Sequence, residues 1–394
     1  MTPEEVELLS QLTIVIPTCN RPLALERSIE YWRDLPVTVH ILDGSEKPWF
    51  SDGLLPQLSN ISYHHIPARE DENWMENYAR RYIYSISLVR TDFCVSCADD
   101  DFFTVSGLLR ALHILRRNAA DAAVGICCEY KKIKDDLFVW HLRYTGWREG
   151  VESRSQSVRS RLLDQTKIFY LYYAVMKSEV WRKVISEVFR LSYSHDYFHE
   201  HLHMAISVAN SRVSVDKYVL WVKEAWQLNP NVIGQATRRR EADWYRDQVN
   251  REEMSKFENH LTASIDSALK SNSEQGSAKF LARRYLKNMK SLKETSVFRK
   301  FKSRFLRLIV ESVSFVSPQI RSKVNNRLPR WFREFSGSAS MIPEKHLTKN
   351  NFFKLDELLS HLDSTPYLYS KTDIHRIESV LLKPREELRL RANI

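Results

Sequence analysis

Glycine is scarce in this chain, with nine residues among 394. So few leave little room for a Gly-rich loop of the kind that cradles phosphates in its backbone N–H groups. Cysteine is scarcer still. Cys19, Cys94, Cys97, Cys127 and Cys128 are the whole set, and their apolar surroundings suit a reducing cytoplasm. Cys94 and Cys97 have the spacing of half a zinc knuckle, but residues three apart on a strand point to opposite faces, so both read as core thiols. Long apolar runs are also missing. Nothing approaches the roughly 18 residues that a membrane-crossing helix needs, and the opening residues are acidic and polar, unlike a secretory leader. The expectation is a cytoplasmic protein that is not integral to a membrane, with length enough for two or three domains.

What the chain has in surplus is positive charge, +10 in all, unevenly placed. Between Arg299 and Glu334 ten Lys or Arg face two acids, Glu311 and Glu334. Over Val297 to Val316, helical spacing brings Phe298, Phe301, Phe305, Leu308, Ile309 and Val313 to one side. Arg299, Lys300, Lys302, Arg304 and Arg307 fall largely on the other. Such a helix can lie on an anionic membrane surface, and Arg330-Trp331-Phe332-Arg333 adds interfacial aromatics; a basic helix packed on the rest of the protein fits the pattern equally well. Nucleic acid is not an expected partner, because no recognised module accompanies the charge.

The most informative stretch is Phe93 to Phe103, a short apolar run that stops in Asp99, Asp100 and Asp101. Three adjacent carboxylates repel one another unless water, donors or a cation offset the charge. They read either as a solvated acidic turn ahead of the helix beginning near Val105 or as oxygen ligands for a hard divalent cation. Upstream, Leu12 to Ile16 is an apolar strand closed by Pro17, and Arg21-Pro22 starts a helix. Val37 to Leu42 is a second strand ending in Asp43-Gly44-Ser45, and Ile61 to Ile66 a third. Asp71 to Val89 and Val105 to Asn118 read as helices, and Ala122 to Cys128 as a strand. This alternation predicts an α/β fold with a mainly parallel sheet flanked by helices, followed by a mostly helical C-terminal region. Ligands on such sheets collect beyond the carboxyl ends of strands, where Pro17, Thr18, Asp43 and Asp99 to Asp101 lie.

The segments LTIVIPTCNRP (12 to 22), ILDGS (41 to 45) and VRTDFCVSCADDDFF (89 to 103) together resemble a nucleotide-sugar glycosyltransferase of the GT-A fold, close to family 2, over about residues 10 to 235. The resemblance implies that Thr18 and Arg21 line a nucleotide pocket beside Pro17, and that Asp43 meets the base or ribose. It makes Asp99 and Asp101 a DxD pair, with Asp100 between them at the donor. An Mn or Mg ion on Asp101 would then neutralise charge growing on the departing diphosphate, with Asp99 at the ribose or a metal-bound water. Arg69 is placed to reach the nucleotide or to form a surface ion pair. One family signature, Ala-Arg-Asn-x-Gly before the acidic strand, is missing; Asn77-Tyr78-Ala79-Arg80 echoes it loosely.

Residues 130 to 235 would complete the acceptor side. Ile168 to Met176 reads as an aromatic strand, Ser178 as the cap of a helix to Arg190, and Ser153 to Arg161 as a mobile loop or solvated linker. An inverting transferase needs a carboxylate to take the acceptor proton. Ser194 to His203 reads as the start of a helix, in which Glu200 is the first candidate and Asp196, one turn earlier, the second. His199-Glu200-His201-Leu202-His203 also fits the H-E-x-x-H pattern of zinc proteases, with Glu224 as a third ligand to be sought. A nucleotidyltransferase would want a Gly-rich loop after the first strand, where Thr18 to Pro22 stands instead; an aspartyl phosphatase would want acids there. The expected division is a transferase domain over 1–235, a helical region over 236–340 and a small helical tail over 341–394. The expected function is metal-dependent inverting transfer of a sugar from a nucleotide-sugar donor to a saccharide or lipid-linked acceptor in bacterial surface polysaccharide synthesis. A non-catalytic membrane adaptor on the same fold is the alternative from another functional class.

Overall fold

The computed structural model describes residues 1–49, 58–117, 120–134, 137–143, 157–164, 171–193, 196–224, 251–286, 355–363, 368–384 and 387–388. A mixed sheet runs through them. It opens with β1 (Leu12–Thr18), β2 (Thr38–Asp43), β3 (Ile61–His65) and β4 (Phe93–Ser96). β1 pairs in parallel with β2 and β4, and β2 pairs in parallel with β3. Every position of β1 is buried, which is why its sequence is a continuous apolar run rather than an alternating one.

The remaining strands are β5 (Phe102–Phe103), β6 (Ala122–Lys134), β7 (Leu137–Arg143), β8 (Val175–Lys177) and β9 (Val213–Glu224). The spatial order is β3-β2-β1-β4-β8-β6-β9-β5, with β7 paired to β6 outside that path. β8 is antiparallel to both β4 and β6, so β6 and its parallel partner β9 run in the direction of β1. The strands β1, β2, β3, β4, β6 and β9 therefore share one carboxyl edge.

Ten named helices flank or follow these strands in the described residues: α1 (Pro3–Ser10), α2 (Pro22–Trp32), α3 (Trp74–Ser85), α4 (Val105–Arg116), α5 (Val158–Asp164), α6 (Ser178–Val188), α7 (Asp196–Asn210), α8 (Arg251–Ser271), α9 (Leu355–Asp363) and α10 (Lys371–Leu382). Their starts follow local chemistry. Pro22 opens α2 with its φ already helical. Asn73 and Glu76 form a reciprocal capping box on α3, and Thr104 caps α4 through the Gly107 N–H. Among these helices none is long and apolar enough to cross a membrane.

Several sequence expectations need correction. The aromatic stretch read as a strand is a 3-10 turn at Leu171–Tyr173 followed by the three-residue β8; its rings pack into the site instead of alternating across a sheet. Ser178 is the first helical residue of α6, with Lys177 in the cap position and no side-chain cap bond. Val158 to Arg161, read as loop, belong to α5, because Glu274 accepts bonds from the Val158 and Arg159 backbone N–H groups and so caps it from a distant segment. Cys19 is exposed, unlike the four buried thiols. The basic amphipathic stretch over 297–335 lies outside the described residues.

The last helix packs on the first half of the chain. Asp373 accepts from both the N–H and the hydroxyl of Ser106 at 2.8 and 2.6 Å, capping α4 from 267 residues away in sequence. Arg376 lies over the Tyr31 ring and donates to the Tyr31 carbonyl, and Lys383 pairs with Glu30.

Candidate functional site

The site grows from two turns at the carboxyl edge. Thr18 and Asp43, the last residues of β1 and β2, are partners in register. The Gly44 N–H donates to the Thr18 carbonyl at 2.9 Å, and the Asn20 N–H donates to Ser45 Oγ at 2.8 Å. Asn20 holds a left-handed φ of 54°, which asparagine tolerates better than most residues. Arg81 of α3 fixes the pair from beneath. Its buried guanidinium donates to the carbonyls of Thr18 and Leu42 at 2.7 and 2.8 Å. Gly44 has to be glycine here, since a Cβ would sit 2.6 Å from Asn77 Oδ1 and 2.7 Å from Arg81 Cζ.

The acids follow β4. Asp99 and Asp101 are only 3% and 4% exposed, so the triple aspartate is not a solvated turn. Thr18 Oγ1 donates to one oxygen of Asp99 at 2.7 Å, and Arg21 to the other at 2.5 Å. Arg21 also reaches Asp100 at 2.5 Å. Tyr173 donates its hydroxyl to Asp101. These donors do not offset the concentration of acid. Burial pushes Asp99 up to about 7, Arg21 pulling it back in part and Asp100 adding to the rise. Asp101 is raised well above the usual carboxylate range, by burial first and the Asp100 charge second. A buried acid pair held this way gains from any added positive charge.

The other candidates sort clearly. Pro17 is buried in β1. Asp43 is buried with both oxygens taken, by the Ser45 N–H and hydroxyl on one side and Tyr63 on the other. Arg69 is exposed, with its backbone N–H donating to Glu72. Arg80 of the loosely matching Asn77 to Arg80 segment pairs with Glu72 at 2.7 Å and is spent on that loop.

Glu200 is exposed on α7, and α7 comes to the acids through the Leu171–Tyr173 turn. The Tyr172 ring lies 5.7 Å from His203, one turn beyond Glu200. The charge of Glu200 raises the Tyr78 phenol, after burial as the main cause, and Tyr78, Tyr82 and Tyr172 join hydroxyls. Asp196 begins α7, but its side chain lies outside the described residues. The H-E-x-x-H histidines are turned inward. His199 stacks on Phe189 and bonds the Leu191 carbonyl at 3.3 Å; His203 bonds Ser207 at 3.3 Å. Burial lowers His203 to about 4. Among the described residues no group of three or more His, Cys, Asp and Glu is placed to hold a metal ion, and the Glu224 side chain lies outside them.

Sequence reasoning missed Arg81 and Tyr173. Asn77 and Arg81, four apart and both polar on an otherwise apolar helix face, were the available signal for the first. Nothing local marks Tyr173, whose partner Asp101 is 72 residues away.

No protein-family model matches the chain, and no curated protein matches it. Among solved structures it is similar to S. aureus TarS at 12% identity and a TM-score of 0.38, over 72% of this chain and 55% of that one; it spans about half of that protein's length. TarS 1-349 in complex with UDP-GlcNAc is similar at 11% identity and a TM-score of 0.36, over 73% of this chain and 91% of that one. At these values the function has to be read from this chain's own site.

Proposed function

We propose that the chain is a nucleotide-sugar glycosyltransferase whose donor lies across the carboxyl ends of β1, β2 and β4. The observation that carries this reading is the pair of buried carboxylates, Asp99 and Asp101, which burial and the Asp100 charge push toward protonation despite their Thr18, Arg21 and Tyr173 donors, so that an added cation would favour their ionised forms. An all-oxygen donor set fits Mg or Mn better than zinc. Asp101 and Asp99 would hold the ion, which supplies positive charge at the donor's diphosphate. Thr18 and Arg21 position Asp99, and Arg21, 45% exposed, is within the solvent-facing part of the site where a phosphate enters.

Glu200, or Asp196 one turn before it, takes the proton of the acceptor hydroxyl in an inverting displacement. The acceptor is a saccharide, lipid-linked if 297–335 binds an anionic membrane surface; that part rests on the sequence pattern. The test is a thermal-shift screen of UDP, GDP, CMP and dTDP and their sugars, each with and without Mn. One nucleotide is expected to raise the melting temperature only with metal. If no nucleotide does so and zinc alone stabilises the protein, the His199/His203 reading replaces this one.

A further inference from the structure

A lysine that the donor reading does not use stands beside Asp101. β5 and β9 are antiparallel, with Phe103 opposite Trp221 and Phe102 opposite Val222. Asp101 directly precedes Phe102 and Lys223 directly follows Val222, so the two residues adjoin at the end of that ladder. On the other side of β9, Lys223 is in register with Glu129 of β6, and its Nζ lies 3.3 Å from Glu129 Oε1. Residues two apart on a strand share a face, so Lys223 lies on the face of Trp221. Tyr173 stacks on that tryptophan at 5.2 Å and gives its hydroxyl to Asp101. Lys223, Tyr173 and Asp101 therefore converge. The lysine charge also reaches Asp101 and favours its ionised form.

Two features argue against a purely structural ion pair. Glu129 is nearly sealed, its side chain 3% exposed, whereas Lys223 keeps 18%; the cation is the member of the pair that faces outward. It does so at the carboxyl end of β9, one of the strands whose carboxyl ends share the edge that carries Thr18 and Asp99. A flexible ammonium with three donors can serve two anions at once.

We propose that Lys223 is a donor-binding residue that contacts the diphosphate of the nucleotide sugar; this rests on the transferase reading above. In transfer, the bond between the sugar's anomeric carbon and the diphosphate oxygen breaks, and its electron pair leaves with the diphosphate. The acceptor oxygen forms the new bond to that carbon, and its proton passes to the carboxylate on α7. Lys223 sets a positive charge beside the oxygen that becomes anionic, and Glu129 holds the ammonium in place.

The experiment compares the full-length protein with Lys223→Met, Lys223→Arg and the double variant Lys223→Met/Glu129→Gln. The last removes the buried carboxylate together with its partner and so keeps a folded reference. Binding is measured with Mn for inorganic pyrophosphate, for whichever of UDP, GDP and dTDP the wild type binds, and for the matching nucleoside monophosphate. Loss of one charge-assisted bond predicts diphosphate and pyrophosphate affinity about 10- to 100-fold lower in Lys223→Met and in the double variant. Lys223→Arg restores part of it, and monophosphate binding changes least. If the double variant binds diphosphate like wild type, Lys223 serves only to neutralise Glu129 and the proposal is overturned. If the wild type binds neither nucleotide nor pyrophosphate with Mn, the transferase reading fails first and takes this one with it.

Discussion

The two edges of the sheet use aspartate in opposite ways. At the amino edge Asp121, just before β6, accepts two bonds from the Arg212 guanidinium at 2.9 and 3.0 Å, one from the Arg212 N–H, and one from Lys177 at 3.2 Å. Burial alone would raise its carboxyl, yet these cations hold it down at about 2. At the carboxyl edge Asp99 and Asp101 are more deeply buried, and burial carries both upward. A cavity of about 260 Å³ lies at the amino edge, lined by Asp121, Arg161, Asn210, Ser211, Arg212 and Asn272, but its acid is already neutralised and Arg161 is engaged with the Val208 and Ala209 carbonyls. That cavity and the buried acid pair therefore lie at opposite ends of the strands. Strongly perturbed buried acids, rather than a cavity whose acid is already paired, are the better candidate for a functional site.

The sharpest way to break this comparison is to neutralise one acid on each edge. Asp101→Asn should abolish Mn-dependent nucleotide binding while leaving the ligand-free protein as stable as wild type or more so, because the cost of keeping a buried acid protonated disappears. Asp121→Asn should do the reverse. It leaves Arg212 and Lys177 without their anion, lowering stability by about 1 to 3 kcal/mol in denaturant titration, with nucleotide affinity kept. If both variants lose stability alike, the carboxyl edge is ordinary scaffold and its acids are not a ligand site.

Chemistry at that edge separates binding from transfer. Glu200→Gln should retain nucleotide affinity and slow sugar transfer by about 10²- to 10⁴-fold, the usual range for removing a general base. Asp196→Asn is the control. If Glu200→Gln transfers normally and Asp196→Asn does not, the base is the residue at the start of α7.

The scaffold under the site should respond less. Arg81→Met removes the donors that join the ends of β1 and β2 and leaves two buried carbonyls with fewer partners, for a loss of about 2 to 4 kcal/mol. Nucleotide affinity should fall with it, since Thr18 and the Asp43 turn lose their common anchor. An Arg81→Met protein of wild-type stability would mean that α3 does not hold the edge together.

Residue pattern alone revealed the carboxyl edge because its parts are local. An apolar run ending in Pro17-Thr18, another ending in Asp43-Gly44, and the triple aspartate each announce a strand end within a few positions. The amino edge was silent for the opposite reason: Asp121 and Arg212 are 91 residues apart and look like any surface charges until the parallel β6–β9 pairing brings them together. Tyr173 was misread because aromatic density resembles strand propensity, while its real constraint is one hydroxyl bond to a distant acid. The Asp373 cap on α4 was equally out of reach, as a helix N-terminus shows the need for a cap but not which distant side chain supplies it.

Acidity gives the finest test, because the two edges titrate with opposite sign. Asp121, held at about 2 against an ordinary value of 3.8, contributes stability that is present above the unfolded value and lost as pH falls toward 2, at most roughly 2 kcal/mol. Asp99, raised to about 7, does the reverse. Between about pH 4 and 7 the folded chain binds more protons there than the unfolded chain, so this group makes stability fall as pH rises. Melting temperature against pH should therefore lose part of its acid limb below pH 4 in Asp121→Asn, and part of its decline between pH 4 and 7 in Asp99→Asn. Mn together with a bound nucleotide should flatten the second window in the wild type and leave the first untouched. If Asp99→Asn leaves the slope between pH 4 and 7 unchanged, Arg21 and Thr18 already neutralise Asp99 as fully as Arg212 neutralises Asp121, and the contrast between the edges disappears.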